Sequence, residues 1–439
     1  MENKRHMLLG LYAEAQFILP HEDLDRYKPG GFHPVNLGDT LCDGRYTIRH
    51  KLGYGGYSIV WLARDNAAGK WVSIKVKTAA SSTERLDDDP EIDVLKRLDK
   101  LYADSPRQIP RPSVQLLDCF HEKGPNGTHN CLVTELLGPS LSNILECYDY
   151  RHDTFRPDTI LRSTCQLLEA LAFFHQEGVV HGDVSNSNVA FTCKNAVESE
   201  EDLFDALGEP ATAEYTDSEI PWWPELPRHL VQVTGWPGWY ESCDGDVRLI
   251  DVGASFPADG TVAKISQPRN VRSPETFFIK SFDYRHDLWR AGCVIYSTYY
   301  QEPPFISFRE KDDIFIRRLV MKLGPLPDEW QGVWEELQKQ NPYAAHDALL
   351  VPPAPITETF EPRRSAIISS CEDEDGEYER DEHTDYDCNA LASLLWVIKN
   401  LLEYRPEKRP SAQEVAAYVR SKWIDFRKES EAMSPTQDS

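Results

Sequence analysis

His181-Gly-Asp183-Val-Ser-Asn-Ser-Asn188 sets a carboxylate and a carboxamide on one loop, in the spacing Asp-x-x-x-x-Asn. That pair suits a proton acceptor and a metal ligand facing one site, although Asp and Asn are also ordinary turn formers. Val247-Arg-Leu-Ile-Asp251-Val-Gly253 places an acid at the end of an apolar run, where a hard cation such as Mg²⁺ would find an oxygen ligand. Gly53-Tyr54-Gly55-Gly56, with Ser58 and Val60 after it, is a glycine-rich tip. Its backbone N–H groups could approach phosphate where a Cβ would collide. Lys75 lies in the apolar run Val72-Ser73-Ile-Lys75 and needs a partner for its charge, and Glu91 is the obvious one. Such a glycine cluster usually marks only a tight turn, and a strand lysine and a helix glutamate can be unrelated. No one of these stretches decides the chemistry alone.

The elements that must position them can be read from the pattern of apolar residues. Arg45–Leu52 and Ser58–Ala63 alternate like strands, so the glycines become the tip of a hairpin. Trp71–Val76 reads as a third strand, and Pro90–Leu101 as a helix with Ile92, Leu95 and Leu98 on one face. Val114–His121 and Asn130–Glu135 read as two more strands. After Gly138 the pattern turns helical: Thr159–Glu177, Asp287–Tyr300, Lys311–Leu323, Asn389–Leu402 and Ser411–Phe426. Two stretches interrupt it. Residues 194–246 are acidic and then rich in Trp and Pro, and residues 351–388 begin Pro-rich and end acidic. The Trp-rich stretch is expected to pack on a surface rather than to bind a ligand. There is no internal repeat.

The 439 residues hold 72 acidic against 47 basic side chains, a formal net charge of −25. That field disfavours direct binding of nucleic acid and favours basic partners. With 41% hydrophobic and 27% charged residues, a sizeable core is expected. No apolar run approaches the ~20 residues of a membrane span. The cysteines include no CxxC pair, which reads as free thiols in a reducing compartment. Near the N-terminus, Met7–Tyr12 follows Lys4-Arg5-His6 but is shorter than a leader's apolar region and is flanked by Glu2 and Glu14. It is read as a short amphipathic segment lying on the domain surface.

Taken in order, these stretches, together with Arg272-Ser-Pro-Glu275, Asp287-Leu-Trp289 and Arg405-Pro-Glu-Lys-Arg409, resemble the eukaryotic protein kinase over roughly residues 45–425. The closer resemblance is to the SR-protein kinases, in their short fungal-type form. It rests on the lead-in Tyr27-Lys-Pro-Gly-Gly-Phe-His-Pro-Val-Asn-Leu-Gly-Asp39 and on Gly53-Tyr-Gly-Gly-Tyr-Ser-Ile-Val-Trp-Leu62. It rests also on an insertion between the catalytic loop and Asp251, and on Lys311–Trp330 as a helical insert.

The resemblance implies an α+β, two-lobed fold. An extension over 1–44 would precede a small antiparallel lobe with one main helix over 45–138. A larger helical lobe over 139–426 would carry both insertions, and 427–439 would be a tail. It implies that Lys75 and Glu91 orient ATP, that Asp183 takes or orients the substrate hydroxyl proton, and that Asn188 and Asp251 hold Mg²⁺. The glycine tip, Ser58, Val60, Ser73 and the hinge residues Glu135 and Leu137 would meet the nucleotide, with Thr134 beside them and Arg409 pairing Glu275. The implied substrates are Ser, and by extension Thr, in Arg-Ser-rich proteins. Glu372–Asp387 or the acids Asp312, Asp313, Asp328 and Glu329 would attract them. A monomer in the cytoplasm with access to the nucleus is expected.

Three positions depart from the family pattern. Ser185 stands where a lysine is usual, and losing a cation aimed at developing phosphate charge costs roughly a hundredfold in rate. Gly182 replaces an arginine that commonly receives an activation-loop phosphate, so no such phosphorylation is expected to be required. Val252 replaces a phenylalanine and should still fill an apolar slot. Ser185 keeps open a nucleotide-binding scaffold with little transfer. His-Gly-Asp183 keeps open a small-molecule phosphotransferase, against which Glu275, Asp287-x-Trp289 and Arg409 speak.

Overall fold

The computed structural model describes residues 10–13, 15–104, 109–151, 155–193, 199–216, 222–239, 245–265, 267–305, 311–340 and 383–433. Residues 1–9 and most of 351–388 are outside that set, and the expectation for Glu372–Asp387 falls there or on side chains not described. The chain divides into two compact units, the first comprising 1–106, 113–139 and 191–245, the second 107–112, 140–190 and 246–439.

The first unit is built on a six-stranded antiparallel sheet in the order β1-β2-β3-β4-β6-β5. Its strands are β1 (Thr40–Leu41), β2 (Tyr46–Tyr54), β3 (Ser58–Asp65), β4 (Lys70–Lys77), β5 (Leu116–Gly124) and β6 (Gly127–Glu135). Helix α1 (Pro90–Asp104) enters between β4 and β5. It starts where Asp89 accepts the Glu91 N–H at 3.0 Å, and it buries Glu91, Ile92, Leu95 and Leu98. Directly opposed residues of antiparallel strands share a face, so the register sorts the sheet. Ile59, Trp61, Ala63, Val72, Ile74, Val76, Cys131 and Val133 line one face. Gly53, Val60, Lys75 and Leu132 form a row across the other, with Leu62, Ser73 and Thr134 in the next row.

The core of this unit lies on the first of those faces, and two segments cover it. Leu11, Tyr12, Leu24, Tyr27, Phe32 and Val35 from the N-terminal extension join Ala213, Leu226, Leu230 and Val231 from the first insertion in one buried cluster. One expectation, on the place of the insertion, is thereby corrected. At the described end of the N-terminal segment Leu11 and Tyr12 are buried, and the Tyr12 hydroxyl donates to the Pro227 carbonyl at 2.7 Å. The insertion belongs to the first unit rather than to the helical one. The reason is the same for both, because neither segment could bury its apolar residues alone and the sheet offered an uncovered apolar face. Within the insertion, helix Glu200–Leu207 starts with a capping box between Ser199 and Asp202, and Thr212–Glu214 pairs with His229–Val231.

The second unit is mostly helical. It contains α2 (Leu141–Arg151), α3 (Pro157–Gln176), α4 (Arg285–Tyr300), α5 (Asp312–Leu323), α6 (Asp328–Lys339), α7 (His383–Leu401) and α8 (Ala412–Met433). Proline opens α3, which is buried along nearly its whole length. Its start meets the later part of α8, where Trp423 Nε1 donates to Asp158 at 2.8 Å, and its end meets the start of α8, where Gln176 bonds Gln413 at 3.0 Å. The two helices therefore run antiparallel. Arg409 grips Glu275 with two bonds of 2.6 and 3.0 Å, both residues buried. Burial opposes a charge on Glu275, but the Arg409 guanidinium holds its carboxyl below the ordinary range. Among the described residues no helix is long and apolar enough to cross a membrane, and the described cysteines are free.

Candidate active site

In the first unit, Lys75 Nζ meets Glu91 Oε1 at 2.5 Å, strand β4 supplying the lysine and the first turn of α1 the glutamate. A second pair lies beside it: Lys77 bonds Asp89 at 2.8 Å and stands 3.6 Å from Glu91. Burial works against the Asp89 charge, while Lys77 and Asn130 hold its carboxyl below the ordinary range. Lys77 and Asp89 were not singled out in the sequence. The signal was there in Ile-Lys75-Val-Lys77 facing Asp89-Pro-Glu91, two cations against two acids at matching spacing.

The glycine tip is a tight hairpin in which Gly55 N–H donates to Ser58 O at 2.9 Å. None of Gly53, Gly55 and Gly56 has a positive φ, and a Cβ on any of them would meet nothing within 4 Å. The chain's own packing gives no reason for glycine there, which leaves close approach of a ligand or freedom of the loop. Ser58 and Ser73 are buried, and Val60 is half-buried. At the end of β6, Glu135 N–H donates to the Gln115 carbonyl at 3.1 Å, the Gln115 N–H donates to Glu135 Oε1 at 3.0 Å, and Leu137 is buried two residues on.

In the second unit, Asn188 Nδ2 donates to the Asp183 carbonyl at 2.8 Å and to Asp183 Oδ2 at 3.2 Å. The Oδ1 of Asn188 is thus the atom left to meet a metal. On the far side of the carboxylate, Arg290 Nη2 reaches Asp183 Oδ1 at 3.0 Å. Burial raises the Asp183 carboxyl above the ordinary range, and Asp251 adds to that, while Arg290, His181 and Asn188 pull it back.

The loop is fixed from beneath by Asp287, whose carboxylate accepts the His181 N–H at 2.8 Å, the Gly182 N–H at 2.9 Å and a bond to His175 at 3.0 Å. Burial opposes the charge of Asp287, but the bond and charge of His175, with His181 and His286 nearby, hold its carboxyl below the ordinary range. His181 Nε2 donates to the Ile250 carbonyl at 3.1 Å, so its Nδ1 is free to accept the Asp183 N–H at 3.2 Å. Gly182 has φ +80°, and a Cβ there would come within 2.4 Å of the Ala254 carbonyl. Glycine at this position therefore accompanies a close approach of two loops. Asp251 itself is left-handed, at φ 58° and ψ 66°, and it is exposed. A non-glycine residue held there is strained, as is common where a side chain is aimed at a ligand. Val252 is buried, in the apolar slot expected of it.

The donor set fits Mg²⁺ with nucleotide phosphates rather than a self-sufficient metal site. No cluster of three His, Cys, Asp or Glu suited to a metal occurs among the described residues, and Mg²⁺ typically takes one or two protein oxygens and completes its shell from phosphate and water.

Residues 46–199 match the protein kinase domain family. The match spans the glycine tip, Lys75, Glu91, Asp183 and Asn188, and ends before Asp251. The chain is 36% identical over 171 residues to protein kinase dsk1 of Schizosaccharomyces pombe, covering 38% of this chain and 30% of that protein. It is 26% identical over 329 residues to the serine/threonine-protein kinase SRPK of Physarum polycephalum, covering 70% of this chain and 73% of that protein. It is 35% identical over 187 residues to human SRSF protein kinase 3, covering 42% of this chain and 30% of that protein. The chain is thus similar to protein kinases, SR-protein kinases among them, and residues 46–199 carry the domain match. It matches less than a third of the length of the Schizosaccharomyces and human relatives.

The four acids expected to face a basic substrate are unequally available. Asp312 is paired with Arg272 at 2.9 Å, Asp313 is buried, and Glu329 is paired with Arg405 at 2.8 Å. Asp328 is exposed at the start of α6.

Proposed function

We propose that this chain is a serine/threonine protein kinase that transfers the γ-phosphoryl group of ATP–Mg²⁺ to Ser, and to Thr by the same chemistry, in basic Arg-Ser-rich proteins. The observation that carries the reading is the Asp183 carboxylate. It is held at Oδ2 by Asn188 and at Oδ1 by Arg290, on a loop braced by Asp287. That is how a residue is fixed when it must receive or orient one proton. Asn188 and Asp251 would hold the metal, which when bound neutralises charge on the phosphates. Lys75, kept in place by Glu91, would orient the α- and β-phosphates, and the glycine tip would let backbone N–H groups approach them. The serine oxygen attacks γ-phosphorus in line, the bond to the bridging oxygen breaks, ADP leaves, and the hydroxyl proton passes toward Asp183. Catalysis is then mainly positioning and charge neutralisation.

The substrate class rests on the net charge of −25, on the family, and on the names of the relatives. The same reading has the chain acting as a monomer in the cytoplasm with access to the nucleus. Ser185 favours a second reading, an ATP-binding scaffold with little transfer, because no lysine or arginine occurs from Gly182 to Cys193.

The test is transfer from labelled ATP–Mg²⁺ to an Arg-Ser repeat peptide, beside a Lys-Ser peptide and the Asp183→Ala chain. Transfer that prefers Arg-Ser and disappears in Asp183→Ala is expected. ATP binding with no transfer above the Asp183→Ala background would overturn the enzyme in favour of the scaffold. Equal use of both peptides would overturn the substrate class alone.

A further inference from the structure

Arg290 occupies the middle of α4, and its side chain is wholly inaccessible to solvent. Its neighbours Trp289, Ala291, Gly292, Cys293, Val294 and Ile295 are buried as well, so the helix is enclosed on all sides at this point. A guanidinium in such a place is costly, and a packed apolar residue is often the cheaper occupant. What it contacts explains its presence. Nε donates to the Val184 carbonyl at 2.6 Å, and Nη2 donates to Asp183 Oδ1 at 3.0 Å. Asp183 is the carboxylate with which it forms an ion pair among the described residues, and Nη1 has no hydrogen-bond partner there. The fork therefore grips two consecutive residues of the catalytic loop, one by its main chain and one by its carboxylate. The loop has no cation of its own to do this, since Gly182 to Cys193 contains neither lysine nor arginine.

We propose that Arg290 is a positioning residue for phosphoryl transfer, which fixes the Asp183 carboxylate through Oδ1 and supplies from the helical core the positive charge that the loop lacks at Ser185. This rests on the kinase reading above. The geometry divides the work on Asp183: Oδ1 is committed to Arg290, and the Oδ2 edge, shared with Asn188, is the one available to a substrate hydroxyl. Because Arg290 acts through Asp183 rather than on the nucleotide, its loss should be felt in the chemical step and not in binding. A carboxylate misplaced by about 1 Å can cost on the order of a hundredfold in rate. The same placement makes a specific prediction about Ser185. A lysine introduced there could reach Asp183 from the loop side and restore part of what Arg290 provided.

The experiment compares the full chain with Arg290→Met, Arg290→Lys and Ser185→Lys/Arg290→Met, reading kcat and KM for ATP and for an Arg-Ser peptide, with thermal melting to give the folded fraction. Arg290→Met is expected to lower kcat about a hundredfold, with both KM values within about twofold. Arg290→Lys, which keeps the charge, is expected to come back to within about tenfold of the original chain, and Ser185→Lys to restore at least about tenfold in the Met background. A folded Arg290→Met chain with kcat within about threefold of the original would overturn the proposal, as would a loss that only tracks the folded fraction. Failure of both the Met and the Lys variants to fold would also overturn it, assigning Arg290 to the core alone. An original chain no more active than Asp183→Ala would overturn the kinase reading and this one together, which separates the two failures.

Discussion

Two lysine–glutamate pairs stand on opposite faces of one sheet. On the covered face Lys51 Nζ bonds Glu22 at 2.6 and 2.9 Å, each side chain is 1% exposed, and the ammonium lies 5.0 Å from the centre of the Trp61 ring. Tyr27 donates to the same glutamate at 2.6 Å. Burial works against the Glu22 charge, but Lys51 and Tyr27 hold its carboxyl below the ordinary range. On the other face Lys75 meets Glu91 at 2.5 Å with the lysine 18% exposed. The first pair ties the N-terminal extension to β2 and is sealed under it. The second sits in line with Gly53 and Val60 and retains an open side. The same two residue types are thus a strut in one place and a candidate phosphate handle in the other, and accessibility, not pairing distance, separates them.

The comparison can be broken by exchanging the expected effects. Lys51→Met should cost the most, about 3–5 kcal/mol of stability, because Glu22 is left buried and uncompensated. Urea unfolding followed by tryptophan fluorescence would read it, since Trp61 lies against the lysine. Lys51→Met/Glu22→Gln should recover most of that loss, and the phosphate transfer of the folded fraction should not change. Lys75→Met should act in the opposite sense. It should lower kcat about a hundred- to thousandfold, worth about 2.7–4 kcal/mol at the barrier, with melting nearly unchanged. Melting is protected because Lys77 stands 3.6 Å from Glu91 and can take up the charge. A Lys75→Met chain that unfolds as readily as Lys51→Met would make both pairs struts and remove the distinction.

Sequence and structure agree best where local pattern and chemistry coincide. The hairpin around the glycines, the β4 lysine, α1 with Ile92, Leu95 and Leu98 inward, and the Glu275–Arg409 pair are all legible from residue types and spacing. The Lys51 pair is not, because β2 carries irregularities between Ile48 and His50 and between Lys51 and Gly53. Each shifts the strand by one residue, so Ile48 and Lys51 share a face that strict alternation would deny them. The N-terminal extension has no periodicity because short 3₁₀ turns and coil cover the sheet, and coil can bury Leu24, Phe32 and Val35 without a repeat. The insertion's acidic and Trp-Pro composition gives no hint of which unit it joins. Arg290 was legible in principle, as one charge inside Trp289-Arg-Ala-Gly-Cys-Val-Ile295. A helical arginine reads as a surface residue unless all its neighbours are weighed.

The smallest expected effect concerns a residue of the covering extension, Arg26, that reaches the glycine tip. Arg26 donates to the Gly56 carbonyl, and its guanidinium lies 5.9 Å from the Tyr57 ring and 5.3 Å from Phe32. Tyr57 is also held, its carbonyl accepting the Thr78 N–H at 2.8 Å. A glycine-rich tip with no packing of its own samples many conformations, and ordering it on a nucleotide costs entropy that a preformed contact reduces. Arg26→Ala removes one side-chain-to-backbone bond worth about 1 kcal/mol, so KM for ATP should rise roughly fivefold with kcat unchanged. Steady-state kinetics at varied ATP would measure it. A fall in kcat instead would mean that Arg26 shapes the transferring geometry as well as the resting loop. No change in either constant would confine the extension to its role as a cover, and the division between a sealed face and a working face would then be complete.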